Sequence, residues 1–415
     1  MDSNRIREAV ADRWSRRVLP SLAALVTIPA LSPAFDERWE RAGHLRNAVD
    51  HVRGWIVSRS IPGTRTEVIQ PEGRPPLLFA EFPAARPSAE NGTVLIYGHL
   101  DRQPSFDEWS DGLGPWQAVL RNGKLYGRGT VDDAYAGYAA VTAIEAVRAA
   151  SGWHSRVVLL LEAGEESGSP HLPTYLEQLS DRIGPVTLVL CLDSGGDDFD
   201  RLWLTDSLHG MAHVTLTVRT SDIHVVRQLL DRIENSSNGQ IKLEAMHAPR
   251  TEPSVDLDFQ LAPTADADAA KIAIRKALTT DVPYGATVHI EELTAESGWV
   301  APTPEPWLDS ALTGIDEVVF GNRRARNGIG GLVPFIKLLY RLYPRAQYVV
   351  TGALGPGSNP HSSDECLDLA FAQRITEFTA HLLDAHAHAP RSDQAIEGAW
   401  LAHVPRNTDQ PSVYM

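Results

Sequence analysis

Cysteine is scarce in this chain: Cys191, inside an apolar run, and Cys366, beside acidic residues, are the two present among 415 residues. They read as unpaired structural thiols rather than as a disulfide or a nucleophile, so cysteine carries no chemistry. Hydrophobic runs of membrane-spanning length are also missing, since none approaches the roughly 20 apolar residues that a span requires. Basic charge is in deficit, with 38 Lys and Arg against 53 Asp and Glu and a formal net charge of −15. That balance, with no basic stripe to offset it, repels phosphate backbones and anionic lipid, which argues against nucleic acid or a membrane as partner. Met1–Arg17 is studded with charge and lacks the apolar core of a signal peptide, so the expected location is the cytoplasm.

The length favours two domains, and 43% apolar residues is ample to bury both. Gly92–Gly98, Arg156–Leu161 and Val186–Leu192 are short, β-branched runs bounded by turn residues, as buried strands are. Each ends at or just before a candidate ligand. In an open α/β sheet, sites form outside the carboxyl ends of the strands, so His99, Glu165, Glu166 and Asp193 are expected on one edge. A helix rich in small residues is expected between Gly129 and Ala150, with Asp132 and Asp133 at its N-terminus, where carboxylates are favoured.

After Asp200 the pattern changes. Strands are expected at Gly210–Thr220, Ser254–Leu261 and Ala286–Leu293, and helices at Val225–Ile233 and Ala265–Leu278, a β-α-β-α-β block that fits a small inserted α+β domain. Ser310–Leu342 and Gln347–Ala353 would complete the outer helices and sheet of the larger domain, and Gln373–His386 would be a late surface helix. The tail from Arg391 is polar and contains proline, as an arm or docked extension would.

Five separated segments carry the chemistry: Gly98–Asp101, Gly127–Asp133, Glu162–Ser169, Leu192–Ser194 and Asn359–His361. Together they supply two imidazoles and a surplus of carboxylates at loop-like positions, the donor set that a pair of borderline divalent ions requires. Adjacent Glu165 and Glu166 cannot point the same way from an extended backbone, which suits one ligand and one base. Competing readings exist for each. Asp132 and Asp133 would serve as helix caps, Glu165 and Glu166 as a solvated acidic turn, and Asp193 as a cap with Asp197, Asp198 and Asp200 as rivals. His386 and His388, close to the end of a helix where a cation is favoured anyway, are left out of the site.

The strings YGHLDRQP (97–104), GRGTVDD (127–133), EAGEESGS (162–169) and GSNPHSSDE (357–365) resemble those of the di-metal aminopeptidase-like hydrolases, the family of carnosinase, carboxypeptidase G and the aminoacylases, and stand in the same order. The carnosinase branch is the nearest match. The resemblance implies an α/β catalytic domain of the phosphorylase/hydrolase type, a mixed sheet flanked by helices, interrupted by a smaller ferredoxin-like lid and dimerisation domain. The expected boundaries are 1–206 and 306–415 for the catalytic domain and 207–305 for the insert. Two divalent ions per subunit are implied, Zn²⁺ or Mn²⁺ with Co²⁺ as a further candidate, with His99 and Asp193 on one, Glu166 and His361 on the other, and Asp132 bridging. Asp101 would orient the His99 ring, and Glu165 would be the general base. A homodimer through the insert is implied, with Gly210–Thr220 a candidate edge for pairing across a two-fold axis.

Around the substrate this chain departs from the family pattern. Where the family carries a His followed by a Gly-rich stretch, His224 runs straight into a helical segment. Where it carries a carboxylate-gripping Arg, Gln260 stands, and the family's Gly-Gly-Ser turn reads Gly330-Gly331-Leu332. The Lys after the paired aspartates is Ala134. His224, Gln260 and Gly331 are therefore the candidate substrate contacts. Losing a charged fork and a hydroxyl typically forfeits a few kcal/mol of binding to a free carboxylate. The expected function is metal-dependent hydrolysis of a C–N bond in a small molecule, a dipeptide by default, with an N-acyl amino acid or an aromatic amine as the alternative. A non-catalytic binding protein on the same fold is disfavoured, because all five ligands and the base are present.

Overall fold

The structure, a computed structural model, describes residues 2–86, 91–105, 108–219, 254–282, 285–329 and 334–390. The chain forms two compact units, one of residues 1–205, 302–326 and 338–415 and the other of residues 206–301 and 327–337. Their principal sheets are built from β1 (Arg65–Ile69), β2 (Leu77–Phe82), β3 (Thr93–His99), β4 (Arg156–Glu162), β5 (Val186–Cys191), β6 (Gly210–Arg219), β7 (Ser254–Leu261), β8 (Thr287–Glu296) and β9 (Gln347–Val350). The expected helix at Val225–Ile233, the candidate contacts His224 and Gly331, and the tail from Arg391 lie outside the described residues.

In the larger unit the sheet order is β1-β2-β4-β3-β5-β9. β4, β3, β5 and β9 run parallel, while β1 and β2 are antiparallel additions at one side. All seven residues of β3 are buried, as expected of a strand covered on both faces. Small side chains let the helix Tyr135–Ala149 lie close against the sheet, and its residues from Tyr135 to Val147 are all buried. The β-branched runs thus became the central parallel strands, and the mixed sheet flanked by helices is the α/β architecture read from the sequence.

The helix expected on the surface at Gln373–His386 is instead a core element spanning Leu369–His388, with Phe371, Ile375, Phe378, Leu382 and Leu383 buried. Its polar residues Thr376 and Thr379 bond back to carbonyls at Ala372 and Ile375, which masked its apolar character in the sequence. His386 is 1% exposed, its ring bonded to Ser155 Oγ at 3.0 Å and Thr187 Oγ1 at 2.9 Å.

In the smaller unit, β6 lies between β7 and β8 in an antiparallel sheet, and Ala212, Val214, Leu216, Val218, Leu257 and Phe259 pack on Ile274 and Leu278 of the helix Ala267–Thr279. Asp266 caps that helix, accepting from Ala269 N at 2.7 Å. Of the expected edge Gly210–Thr220, the described part Gly210–Arg219 is not a free edge: it is paired on one side with β7 and on the other with β8, and its alternation buries every second residue.

Buried neutral histidines give the larger unit an acid-sensitive element. Arg148 Nε donates to His154 Nε2 at 2.8 Å, so Nδ1 carries the proton and donates to the Ser155 carbonyl at 2.8 Å. Burial lowers the pKa values of both His154 and His386 to about 4. A histidine depressed in the folded state stabilises the fold above its unfolded pKa near 6.5, and that stability is lost as pH falls through 4, by about 3 kcal/mol per ring. His386→Asn should flatten the decline in stability of the metal-free protein between pH 6.5 and 4, read as urea midpoints. Identical slopes for variant and parent would remove His386 from the acid response.

Candidate metal centre

The carboxyl ends of the parallel strands deliver the candidate donors. His99 is the last residue of β3, Glu165 and Glu166 form a 3₁₀ turn just past β4, Asp193 follows β5, and His361 lies beyond β9. Asp132 and Asp133 occupy an irregular turn before the helix Tyr135–Ala149, with non-helical backbone angles and a cis peptide bond between them. Neither caps that helix, whose first-turn amides receive no side-chain bond. Gly98 leaves room for this turn, since a Cβ there would lie 2.6 Å from Asp133 Oδ2.

All five candidate metal ligands converge, and Asp132 is at the centre. One of its oxygens, Oδ1, is 3.1 Å from His99 Nε2, and the other, Oδ2, is 2.8 Å from His361 Nε2. Asp193 Oδ2 lies 3.7 Å and Glu165 Oε2 3.9 Å from His99 Nε2. Glu166 Oε2 lies 3.2 Å from His361 Nε2. Donor atoms of His99, Asp132 and Glu166 fall within 4.8 Å of one another, as do those of His99, Glu165 and Asp193. Donors held at tetrahedral angles by Zn²⁺ stand about 3.4 Å apart, so this spacing and this nitrogen and oxygen set fit divalent ions. The expected opposite orientation of Glu165 and Glu166 does not occur. A 3₁₀ turn replaces the extended backbone on which it depended, and both carboxylates face the cluster.

The electrostatics are those of carboxylates crowded in a dry space. Asp193 is pushed up to about 7 by burial and then by Asp132. Burial also lifts Glu165 well above the usual carboxylate range, with His99 opposing and Asp193 and Glu166 adding to it. Asp132 goes the other way, because hydrogen bonds with His361 and His99 overcome its burial. Burial disfavours charge on His361, yet Asp132 and Glu166 outweigh it and raise the ring to about 11. Positive charge is what this constellation favours.

Several supporting contacts were not read from the sequence. The Asp101 carboxylate accepts the backbone N–H groups of Glu165 at 3.1 Å and Glu166 at 3.0 Å, together with the Ser32 hydroxyl at 2.6 Å, and so clamps the acidic turn. His99 Nδ1 meets the Asp101 carbonyl at 3.1 Å, nearer than the Asp101 carboxylate at 3.6 Å. Gln103 Nε2 donates to Glu166 Oε2 at 2.8 Å. Glu365, fully buried, accepts from Val131 N and Asp132 N with one oxygen and from Arg128 Nη1 at 2.7 Å with the other. Gln103, Arg128 and Glu365 stand within the motif strings, where neighbouring ligands drew attention away from them, and Asp101, expected to orient the His99 ring, clamps the acidic turn as well. Ser32 had no signal. Of the candidate substrate contacts, Gln260 is half-buried on β7 opposite Met211 in the smaller unit.

A parallel α/β sheet with imidazoles and carboxylates gathered at its carboxyl edge defines a metallohydrolase type of site. The chain belongs to peptidase family M20/M25/M40, whose model matches residues 95–385, well over half its length. It is 35% identical over 112 residues to the Beta-Ala-His dipeptidase of Homo sapiens, covering 26% of this chain and 21% of that protein. It is 30% identical over 145 residues to the succinyl-diaminopimelate desuccinylase of Dechloromonas aromatica (strain RCB), covering 33% and 38%. These matched stretches span less than half of either relative. In fold it is similar to the di-peptidase Dug1p from Saccharomyces cerevisiae, with a TM-score of 0.70, 18% identity, and coverage of 94% of this chain and 99% of that one.

The Arg128–Glu365 pair is buried on both sides, with exposures of 2% and 0% for the two side chains. Glu365→Ala leaves a buried guanidinium unpaired, and the expected cost is about 3–5 kcal/mol in urea denaturation of the metal-free protein. A loss under about 1 kcal/mol would mean that water replaces the carboxylate at no cost.

Proposed function

We propose that this chain is a two-metal hydrolase that cleaves the C–N amide bond of a small substrate, by default a dipeptide. The observation that carries this reading is the division of the Asp132 carboxylate, with one oxygen toward His99 and the other toward His361. In this assignment His99 and Asp193 hold one ion, Glu166 and His361 hold the second, and Asp132 is shared. Zn²⁺ or Mn²⁺ suits these donors, with Co²⁺ as a workable substitute. Bound ions would supply Lewis acidity, bringing the pKa of water toward neutrality and polarising the scissile carbonyl.

The chain's own groups do the rest. Glu165 is the general base: its carboxylate accepts a proton from the attacking water and returns it to the nitrogen as the C–N bond breaks. Asp101 holds Glu165 and Glu166 in place through their amides and receives His99 at its carbonyl. His224, Gln260 and Gly331 are assigned to substrate binding.

The catalytic domain is assigned to residues 1–206 and 306–415 and the lid and dimerisation domain to 207–305, although residues 327–337 group with the smaller unit. A homodimer through this insert is the proposed assembly. Because β6 is central, pairing through the described sheet would use β7 or β8. Among the described residues no helix is long and apolar enough to cross a membrane, and the acidic balance fits a cytoplasmic protein.

A second reading is hydrolysis of an N-acyl amino acid or an aromatic amine; Gln260 favours the aromatic amine, because an amide side chain lacks the charge that grips the free carboxylate shared by dipeptides and N-acyl amino acids. Metal-stripped and metal-restored protein, offered dipeptides, N-acyl amino acids and aromatic amines together, separates the two by mass spectrometry. Metal-dependent release of amino acids from dipeptides is expected, and turnover of the other members alone would transfer the assignment to them. Gln260→Arg should raise kcat/KM for dipeptides, and an unchanged value counts against Gln260 as a carboxylate contact. Glu165→Gln should lower kcat by about 10²–10⁴-fold with metal content unchanged. Full activity in that variant excludes Glu165 as the base.

A further inference from the structure

Asp193 lies two residues past the end of β5. Its carboxylate stands 3.7 Å from His99 Nε2, beyond hydrogen-bond length, so its position is set by the backbone that carries it. That backbone continues past β5 alongside the segment that leaves β9. Thr351 N donates to the Cys191 carbonyl at 3.0 Å, Leu354 N to the Ser194 carbonyl at 3.1 Å, and Gly196 N to the Leu354 carbonyl at 3.0 Å. The two segments approach so closely that a Cβ at Gly195 would fall 1.8 Å from the Leu354 carbonyl oxygen. Within this ladder the Leu192 carbonyl and the Ala353 amide are joined through a side chain.

That side chain is Tyr135. It is fully buried, and its hydroxyl donates to the Leu192 carbonyl at 2.5 Å while accepting from Ala353 N at 2.8 Å. Leu192 immediately precedes Asp193. Tyr135 itself opens the helix that follows the Asp132–Asp133 turn. One phenol therefore ties the turn bearing Asp132 to the strand end bearing Asp193. On the other side of Asp193, Ser194 Oγ and Thr205 Oγ1 are 2.6 Å apart, so both flanking residues are anchored. The opposite ligands, Glu166 and His361, are held by different groups: Asp101 and Gln103 for Glu166, and Glu365 for the loop of His361 through its carbonyl bond to Gly127 N at 3.0 Å.

We propose that Tyr135 is a positioning residue for one metal ion of the pair: its hydroxyl fixes Asp193 relative to Asp132, so the ion held by His99, Asp132 and Asp193 depends on it and the ion held by Asp132, Glu166 and His361 does not. This inference rests on the two-ion assignment made above. Tyr135→Phe removes the hydroxyl, keeps the ring, and leaves a buried carbonyl and a buried amide to shift toward other partners.

The test titrates Zn²⁺ into metal-free full-length protein, comparing the parent, Tyr135→Phe and Asp193→Asn by calorimetry and by metal content after dialysis. The parent should take two ions, Asp193→Asn should weaken one, and Tyr135→Phe should weaken that same ion by about 10–100-fold while leaving the other unchanged. Parent-like binding of both ions by Tyr135→Phe, alongside a weakened ion in Asp193→Asn, overturns the role of Tyr135 and leaves the two-ion assignment standing. Equal weakening of both ions with a lowered melting temperature also overturns it, as a purely structural effect. A parent that takes fewer than two ions, or an Asp193→Asn protein that binds both as the parent does, removes the assignment itself. If circular dichroism shows metal-free Tyr135→Phe to be unfolded, Tyr135→His, which keeps a ring donor and acceptor, is read against the same outcomes.

Discussion

Like charge crowded out of water is the constraint on which the larger unit is organised. Asp132, Asp133, Glu165, Glu166 and Asp193 are drawn together at one edge of the sheet with His99 and His361 as the neighbouring imidazoles. Left to themselves such carboxylates would separate or take up protons. They stay because each is carried on backbone that something else holds. Parallel strands set the starting points, and buried hydrogen bonds to main-chain groups fix the loops beyond them.

Those supports share a logic. Asp101 accepts two amides of the acidic turn, Glu365 accepts two amides of the Asp132 turn, and Tyr135 bridges a carbonyl and an amide beside Asp193. A hydrogen bond to the backbone fixes where a ligand starts without consuming its donor atoms, which remain free for a cation. Gln103 differs in reaching the carboxylate of a candidate ligand, Glu166, directly. Asp132 is the point at which the two sides meet, and any displacement of its turn moves both sides at once.

Much of this was legible in the sequence. β-Branched runs ending in Gly-His-x-Asp and Leu-Asp gave both the parallel strands and the edge on which the donors gather, because a buried strand has no polar residue until it leaves the sheet. The motif strings contain four of the five candidate ligands, and the end of the run Val186–Leu192 marks the fifth, Asp193. What stayed hidden depended on contacts distant in the chain or on backbone geometry. Arg128 and Glu365 are 237 residues apart, and nothing local marks them as a pair. Tyr135 opens a helix of small residues, and nothing local marks its hydroxyl as a bridge between two distant main-chain groups. The irregular turn that carries Asp132 has no sequence signal, so a helix cap stood as the competing reading there, and the 3₁₀ turn at Glu165 defeated an argument from strand alternation. The last helix was misplaced at the surface since its threonines and histidines satisfy themselves inside.

The central claim is that Asp132 is shared between two ions. Anomalous diffraction from crystals of the full chain grown with Zn²⁺, collected on both sides of the zinc absorption edge, tests it most directly. The account predicts two peaks about 3.5–4 Å apart, one on each side of the Asp132 carboxylate, with Asp193 beside the first and Glu166 and His361 beside the second. A single peak, or two peaks that leave Asp132 unligated by either, would contradict it.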